Sequence, residues 1–216
     1  MHRPHRTRIR ISLALWMLFA ACAAQASTTD FEITPLAGYR VAGAFHDTSI
    51  DANRDIQEHA SFGLALDLTD HAGTQWELSF TRQNTTIESP ANAPATTPLD
   101  LRIDYLQFGG TYYWSETGRD GIAPYLVGGL GLTRFSPLRA GLDDRTEPSM
   151  NFGVGLRIPL SQRLALRIEG RGYVTLLKTQ GSIFCGTGNV DSGCTIHARA
   201  AGLWQIEALV GLAFRL

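Results

Sequence analysis

From Phe31 onward the chain repeatedly alternates apolar and polar side chains with a period of two, the pattern of β-strands, and it does so about eight times. Phe31, Ile33, Ala37, Tyr39 and Val41 share one face, against Glu32, Thr34, Gly38 and Arg40. Phe62, Leu64, Leu66 and Leu68 oppose Ser61, Gly63, Ala65, Asp67 and Thr69; Trp76, Leu78 and Phe80 oppose Gln75, Glu77, Ser79 and Thr81. The fourth segment sets Leu106, Phe108, Tyr112 and Trp114 against Tyr105, Gln107, Gly109, Thr111 and Tyr113, and the fifth sets Leu126, Leu130 and Leu132 against Val127, Gly129, Gly131 and Thr133. In the sixth, Met150, Phe152, Val154, Leu156 and Ile158 face away from Asn151, Gly153, Gly155 and Arg157. The seventh pairs Leu164, Leu166, Ile168 and Val174 with Arg167, Glu169, Arg171, Tyr173 and Thr175, and the last pairs Trp204, Ile206, Val210, Leu212, Phe214 and Leu216 with Gln205, Glu207, Gly211 and Arg215.

One segment changes phase. Leu101 and Ile103 are apolar on odd numbers, whereas Leu106 and Phe108 are apolar on even ones, so a β-bulge near Asp104–Tyr105 is expected. The other reading is that the first residues of this strand stand above a membrane, where the facing rule relaxes. Links alternate in length: short near 69–74, 115–121 and 159–163, long near 43–59, 82–100, 135–148 and 178–200. That alternation fits antiparallel outer-membrane strands joined by short periplasmic turns and longer external loops, with both chain ends periplasmic.

A soluble sandwich also alternates, but it points its apolar face inward. Here one face is apolar over strands about nine to eleven residues long, enough for a tilted strand to cross a bilayer. The other face mixes Gly, Thr, Ser and Gln with isolated charges of both signs: Glu32, Arg40, Asp67, Glu77, Arg157, Arg167, Glu169, Arg171 and Glu207. Inside a narrow barrel such charges must pair, because a lone one is expensive. Aromatic residues fall near strand ends (Phe31, Trp76, Tyr112, Trp114, Trp204), as in interfacial girdles. The fold class expected is all-β: an eight-stranded antiparallel up-and-down transmembrane β-barrel.

Composition sets the compartment. Arg3, Arg6, Arg8 and Arg10 precede an apolar run from Ile11 to Ala24 and a small-x-small site at Ala24-Gln25-Ala26, the order of a secretory signal peptide. Residues 1–26 are therefore set apart from a barrel domain at 27–216. Phe19-Ala20-Ala21-Cys22 loosely resembles a lipobox, but Phe departs from the usual Leu, and Cys22 reads as part of the signal core. Removing four arginines leaves 19 − 4 = 15 basic against 20 acidic residues, a net charge near −5 with Lys178 as the only lysine. That balance argues against nucleic acid as a partner.

Candidate chemistry is sparse. Cys185 and Cys194 bracket a Gly/Asn/Asp-rich turn and read as a local disulfide. No second cysteine pair or nearby His completes a metal site, and no cofactor is expected. His46, His59 and His197 fall in links and His71 in a turn; their spacing to Ser49 or Ser182 suggests no catalytic pair. The acidic groups of the first link (Asp47, Asp51, Asp55, Glu58) and the third (Asp143, Asp144, Glu147) are solvated residues, or sites for divalent cations bridging lipopolysaccharide or for a cationic partner.

The runs Leu106-Gln107-Phe108-Gly109-Gly110-Thr111-Tyr112-Tyr113-Trp114 and Ala123-Pro124-Tyr125-Leu126-Val127-Gly128-Gly129-Leu130-Gly131, with the closing strand to Leu216, resemble the outer-membrane β-barrel domain family, which groups with the OmpA transmembrane domain and OmpX/Ail-type barrels. The resemblance implies a barrel alone in a Gram-negative outer membrane, monomeric, in contact with lipid and lipopolysaccharide and inserted by the barrel-assembly machinery. That machinery usually reads a C-terminal Phe; here Leu216 takes its place, with Phe214 two residues earlier. The expected function is a non-enzymatic structural or surface-interaction role. A small pore or hydrophobic-ligand channel of the OmpW kind is the alternative, and a lipid A-modifying enzyme comes third. On the first reading the nine inward charges form a structural network in a filled lumen.

Overall fold

A computed structural model describes residues 30–41, 44–47, 52–71, 73–87, 98–114, 121–139, 141–177, 181–185, 194–198 and 202–216. Eight strands close a barrel: β1 (Phe31–Val41), β4 (His59–His71), β5 (Thr74–Ile87), β6 (Leu99–Tyr113), β7 (Ala123–Pro137), β8 (Arg145–Pro159), β9 (Leu164–Thr175) and β12 (Leu203–Arg215). Each is antiparallel to both neighbours, and β12 closes on β1. Four short strands, β2 (Ala44–Asp47), β3 (Ala52–Asp55), β10 (Gly181–Cys185) and β11 (Cys194–Ala198), form a separate sheet in the order β10-β11-β2-β3. The barrel end next to this sheet is called the hairpin end, and the other the terminal end.

The register fixes the barrel's shape. A path along paired residues runs Phe31, Leu68, Trp76, Gly110, Gly128, Phe152, Gly172, Ile206 and back to Val41, a stagger of 41 − 31 = 10 residues. With strands ~4.8 Å apart and ~3.3 Å per residue, eight strands with that stagger tilt by about 40° around a radius of about 8 Å. Such an interior is narrow enough for side chains to fill.

Polarity follows the pleat. Outward side chains are large, apolar and exposed, among them Phe62 at 65% and Leu130 at 69%, while Glu32, Arg40, Asp67, Arg167 and Glu207 are fully buried. On β6 the outward apolar run extends from Leu106 to Trp114. At the tilt above, eight residues rise about 20 Å, close to the apolar band of an outer-membrane barrel. Phe31, Tyr112 and Trp114 sit at the terminal edge of this band and Trp204 at the hairpin edge.

The expected bulge in the fourth strand does not exist. β6 pairs with β5 from Tyr112 opposite Thr74 to Leu99 opposite Ile87 without a shift, and Leu99, Leu101, Ile103, Tyr105, Gln107, Thr111 and Tyr113 all point inward. What changes is the solvent, not the geometry. Above Phe80, Leu106 and Leu132 the outward positions become Arg82, Asp104 and Arg134, which are neighbours across three strands, and the inward positions become Ile103 and Phe135. The apolar face therefore switches sides at this level, as expected where the surroundings of a barrel change from lipid to water.

Strands that continue past the band also correct the expected lengths. They run 11 to 15 residues, and the link expected at 135–148 shrinks to the residues between Pro137 and Arg145. The links expected at 43–59 and 178–200 carry β2–β3 and β10–β11. All four histidines placed in links or turns belong to strands instead: His46 to β2, His59 and His71 to β4, and His197 to β11. Among the described residues no helix is long and apolar enough to cross a membrane, which leaves the strands unaffected.

Candidate functional site: the barrel lumen

Three layers occupy the lumen. At the terminal end Arg157 of β8 reaches across to Glu32 of β1 through two parallel bonds, Nη1 to Oε1 at 2.7 Å and Nη2 to Oε2 at 2.8 Å. Beside them the Tyr113 hydroxyl donates to Gln75 Oε1 at 2.8 Å. Arg167 is next, fully buried, donating to Asp67 Oδ2 at 2.7 Å, Glu77 Oε2 at 2.8 Å and Glu169 Oε1 at 2.9 Å. Arg171, four residues further along β9 on the same inward face, donates to the other Glu77 oxygen at 2.8 Å and to Glu169 Oε2 at 2.5 Å. Glu77 and Glu169 thus each join two arginines, and the Tyr125 hydroxyl adds a 2.6 Å bond to Glu169. Charge-assisted, partly bidentate bonds offset the desolvation that buried charges suffer, and breaking one such pair costs several kcal/mol.

Toward the hairpin end the second layer centres on Arg40. Its guanidinium lies between the rings of Tyr105 and Tyr173, 4.7 and 5.2 Å from their centroids. Nη2 donates to Thr81 Oγ1 at 2.6 Å and Glu207 Oε1 at 2.9 Å. The Tyr105 hydroxyl donates to Gln205 Oε1 at 2.8 Å, and Thr133 and Thr175 share a 2.8 Å hydroxyl contact.

An apolar cap forms the third layer. Leu99, Leu101, Ile103, Phe135 and Leu203 meet inside the projecting strands, joined by Ile87, Ile56, which bridges to it, and Leu177. Removing that much apolar surface from water stabilises the closed end without any ion pair.

All nine charged residues expected on the inward face lie in the lumen, in three groups: Glu32 with Arg157; Asp67, Glu77, Arg167, Glu169 and Arg171 together; and Arg40 with Glu207. The tyrosines that hold them were legible as inward residues at 105, 113 and 173, while Tyr125 was not. The cap residues break the polar-inside pattern, so alternation alone does not reveal them. Outside the lumen Arg82 binds Asp104 through bonds of 2.7 and 2.9 Å, and Arg134 binds Asp144 at 2.5 Å. In β10 and β11, Cys185 and Cys194 are opposite one another in the backbone register. No group of His, Cys, Asp and Glu able to hold a metal occurs among the described residues.

The outer membrane protein β-barrel domain model matches residues 11–198. The chain belongs to that family. Barrel strand β12 lies beyond the matched stretch, yet its pairing with β1 and β9 completes the same closed architecture. Among curated proteins nothing matches this barrel by sequence. Among solved structures, the Neisserial surface protein NspA is 14% identical, with 86% of this chain and 97% of that one covered and a TM-score of 0.57. The outer membrane protein OprG of Pseudomonas aeruginosa is 10% identical, with 87% and 96% covered and a TM-score of 0.58. At such identities the likeness concerns the fold of this outer-membrane barrel and nothing finer.

Proposed function

We propose that this outer-membrane barrel is a closed, non-enzymatic scaffold that strengthens the membrane and presents its hairpin end for surface interaction. The observation that carries this reading is the succession of buried groups that close the lumen at several levels, from Arg157–Glu32 through Arg167 and Arg171 to the apolar cap. The hairpin end faces outward and both chain ends face the periplasm. In support, the β5–β8 wall projects beyond the apolar band with a polar exterior, and the links at the terminal end are short. The barrel works as a monomer, reaches the membrane through the barrel-assembly machinery, and touches lipopolysaccharide at the level of Arg82, Asp104 and Arg134.

Conductance across a planar bilayer tests it. The reconstituted protein should give no steady single-channel current. A reproducible wild-type current would overturn the closed scaffold. The second reading, a channel for hydrophobic ligands, draws on the apolar lining that Leu99, Leu101, Ile103 and Phe135 give the lumen's hairpin end. It would require saturable uptake of an apolar solute that Leu101→Asp abolishes.

A further inference from the structure

Among the lumen's arginines, Arg40 is bonded differently. Arg167 uses Nε, Nη1 and Nη2, and so does Arg171, but Arg40 has protein partners only at Nη2. Its Nε and Nη1, which carry three N–H groups between them, have none. The oxygens around the same level are short of donors too: Ser61 Oγ on β4, Gln83 Oε1 on β5, Glu207 Oε2 on β12, Gln107 Oε1 on β6 and Asn151 Oδ1 on β8. Every one of these side chains is more than nine-tenths buried. By the barrel's tilt and stagger they fall within about 7 Å of one another in height.

The wall opposite Arg40 carries no inward side chains at this level. β7 is four strands from β1 in either direction, hence diametrically opposite Arg40. Its inward positions at this level are Gly129 and Gly131, flanked by Gln107 on β6 and Asn151 on β8. A Cβ at Gly131 would lie 1.9 Å from the Leu106 carbonyl oxygen, so no larger residue fits there. One wall is therefore bare backbone, and donors and acceptors ring the space before it. The paired charges of Arg167 and Arg171 close it below, and the apolar cap closes it above.

We propose that this layer is a sealed, hydrated chamber in which ordered water bridges Arg40 Nε and Nη1 to Ser61, Gln83, Glu207, Gln107 and Asn151. Water fits because it supplies both donors and acceptors, as this mixed set requires, and buried polar groups without a protein partner are usually satisfied that way. An anion would meet four or more oxygens here, and a cation would meet Arg40.

Solid-state NMR on the arginine-15N-labelled protein, purified from outer membranes and reconstituted in lipid bilayers, tests the chamber. In water-edited spectra the Arg40 Nε signal, assigned through Arg40→Lys, should gain intensity several times sooner than those of Arg167 and Arg171. Equal build-up for all three would overturn the proposal. Ser61→Ala gives an independent readout without a large change in shape. In a dry lumen, deleting an unpartnered hydroxyl leaves the urea midpoint unchanged or raises it. In a hydrated chamber it removes a water's partner, and the midpoint falls. A midpoint that holds or rises would overturn the chamber as well.

Discussion

Arg167→Met isolates the central ion cluster. Methionine keeps most of the side chain's length and removes every N–H. Glu77 and Glu169 retain Arg171, at 2.8 and 2.5 Å. Asp67 does not fare as well: its Oδ2 is bonded by Arg167 at 2.7 Å, its Oδ1 has no partner, and it is fully buried. The variant thus strands one carboxylate in the lumen, at a cost of about 3–5 kcal/mol. Adding Asp67→Asn removes the stranded charge and should restore about 2 kcal/mol of that loss, since a neutral unsatisfied amide is less costly than an ion. Reversible urea unfolding in lipid vesicles, followed by tryptophan fluorescence, supplies both numbers, provided the slope with denaturant is unchanged. A single variant within 1 kcal/mol of wild type, or a double variant no more stable than the single, would refute the assignment of Arg167 as Asp67's counter-ion.

Other consequences are open to the same methods. Leu130→Arg, outward in the apolar band, should lose about 2–4 kcal/mol, whereas Ser136→Arg on the same strand beyond Arg134 should stay within about 0.5 kcal/mol; equal losses would misplace the membrane edge. At Gly155 a Cβ would come 2.2 Å from the Tyr125 ring, so Gly155→Ala should destabilise by about 1–3 kcal/mol, read as a lower midpoint, because Tyr125 is held to Glu169. Directly opposite residues on antiparallel strands lie within disulfide reach, so Cys185 and Cys194 should resist iodoacetamide until reduced; labelling of either before reduction would exclude the bridge. The bonds that Asp144 accepts from Arg134 hold its carboxyl below the usual aspartate range. Their contribution is present above the unfolded value and lost as pH falls through the lower folded one; an NMR titration midpoint at or above the ordinary value would contradict the pair.

The sequence exposed what depends on alternation alone. Residues such as Glu77 and Arg171 could be assigned to the inward face because they alternate with outward Trp76 and Leu78, and with Ile168 and Val174, at a period of two. Which carboxylate meets which arginine was beyond reach, since Arg157 and Glu32 join strands far apart in the chain and depend on the ten-residue stagger. Leu101 and Ile103 look like a phase error only while one polarity rule holds along the whole strand; of the two readings the sequence leaves open, a bulge fails and residues standing above a membrane agree with the unshifted pairing. The same rule ended the strands too early, at Arg82 and Phe135, where apolar and polar positions merely exchange sides. Strands β2 and β3 were hidden in a stretch dense with Asp and Asn, residues that ordinarily mark turns.

That exchange also fixes where the protein floats. Arg82, Asp104 and Arg134 sit side by side directly above Phe80, Leu106 and Leu132, with no neutral margin between them. Sinking the barrel by two residues, about 5 Å at its tilt, would carry three charged groups past the edge of the hydrocarbon, where each arginine costs up to ~1 kcal/mol and more with further depth. Rising by as much would strand aromatic rings in water at the opposite edge. A bilayer of another thickness must therefore deform around this protein, which has little freedom to slide or lean and is sorted toward membranes that match its own draught.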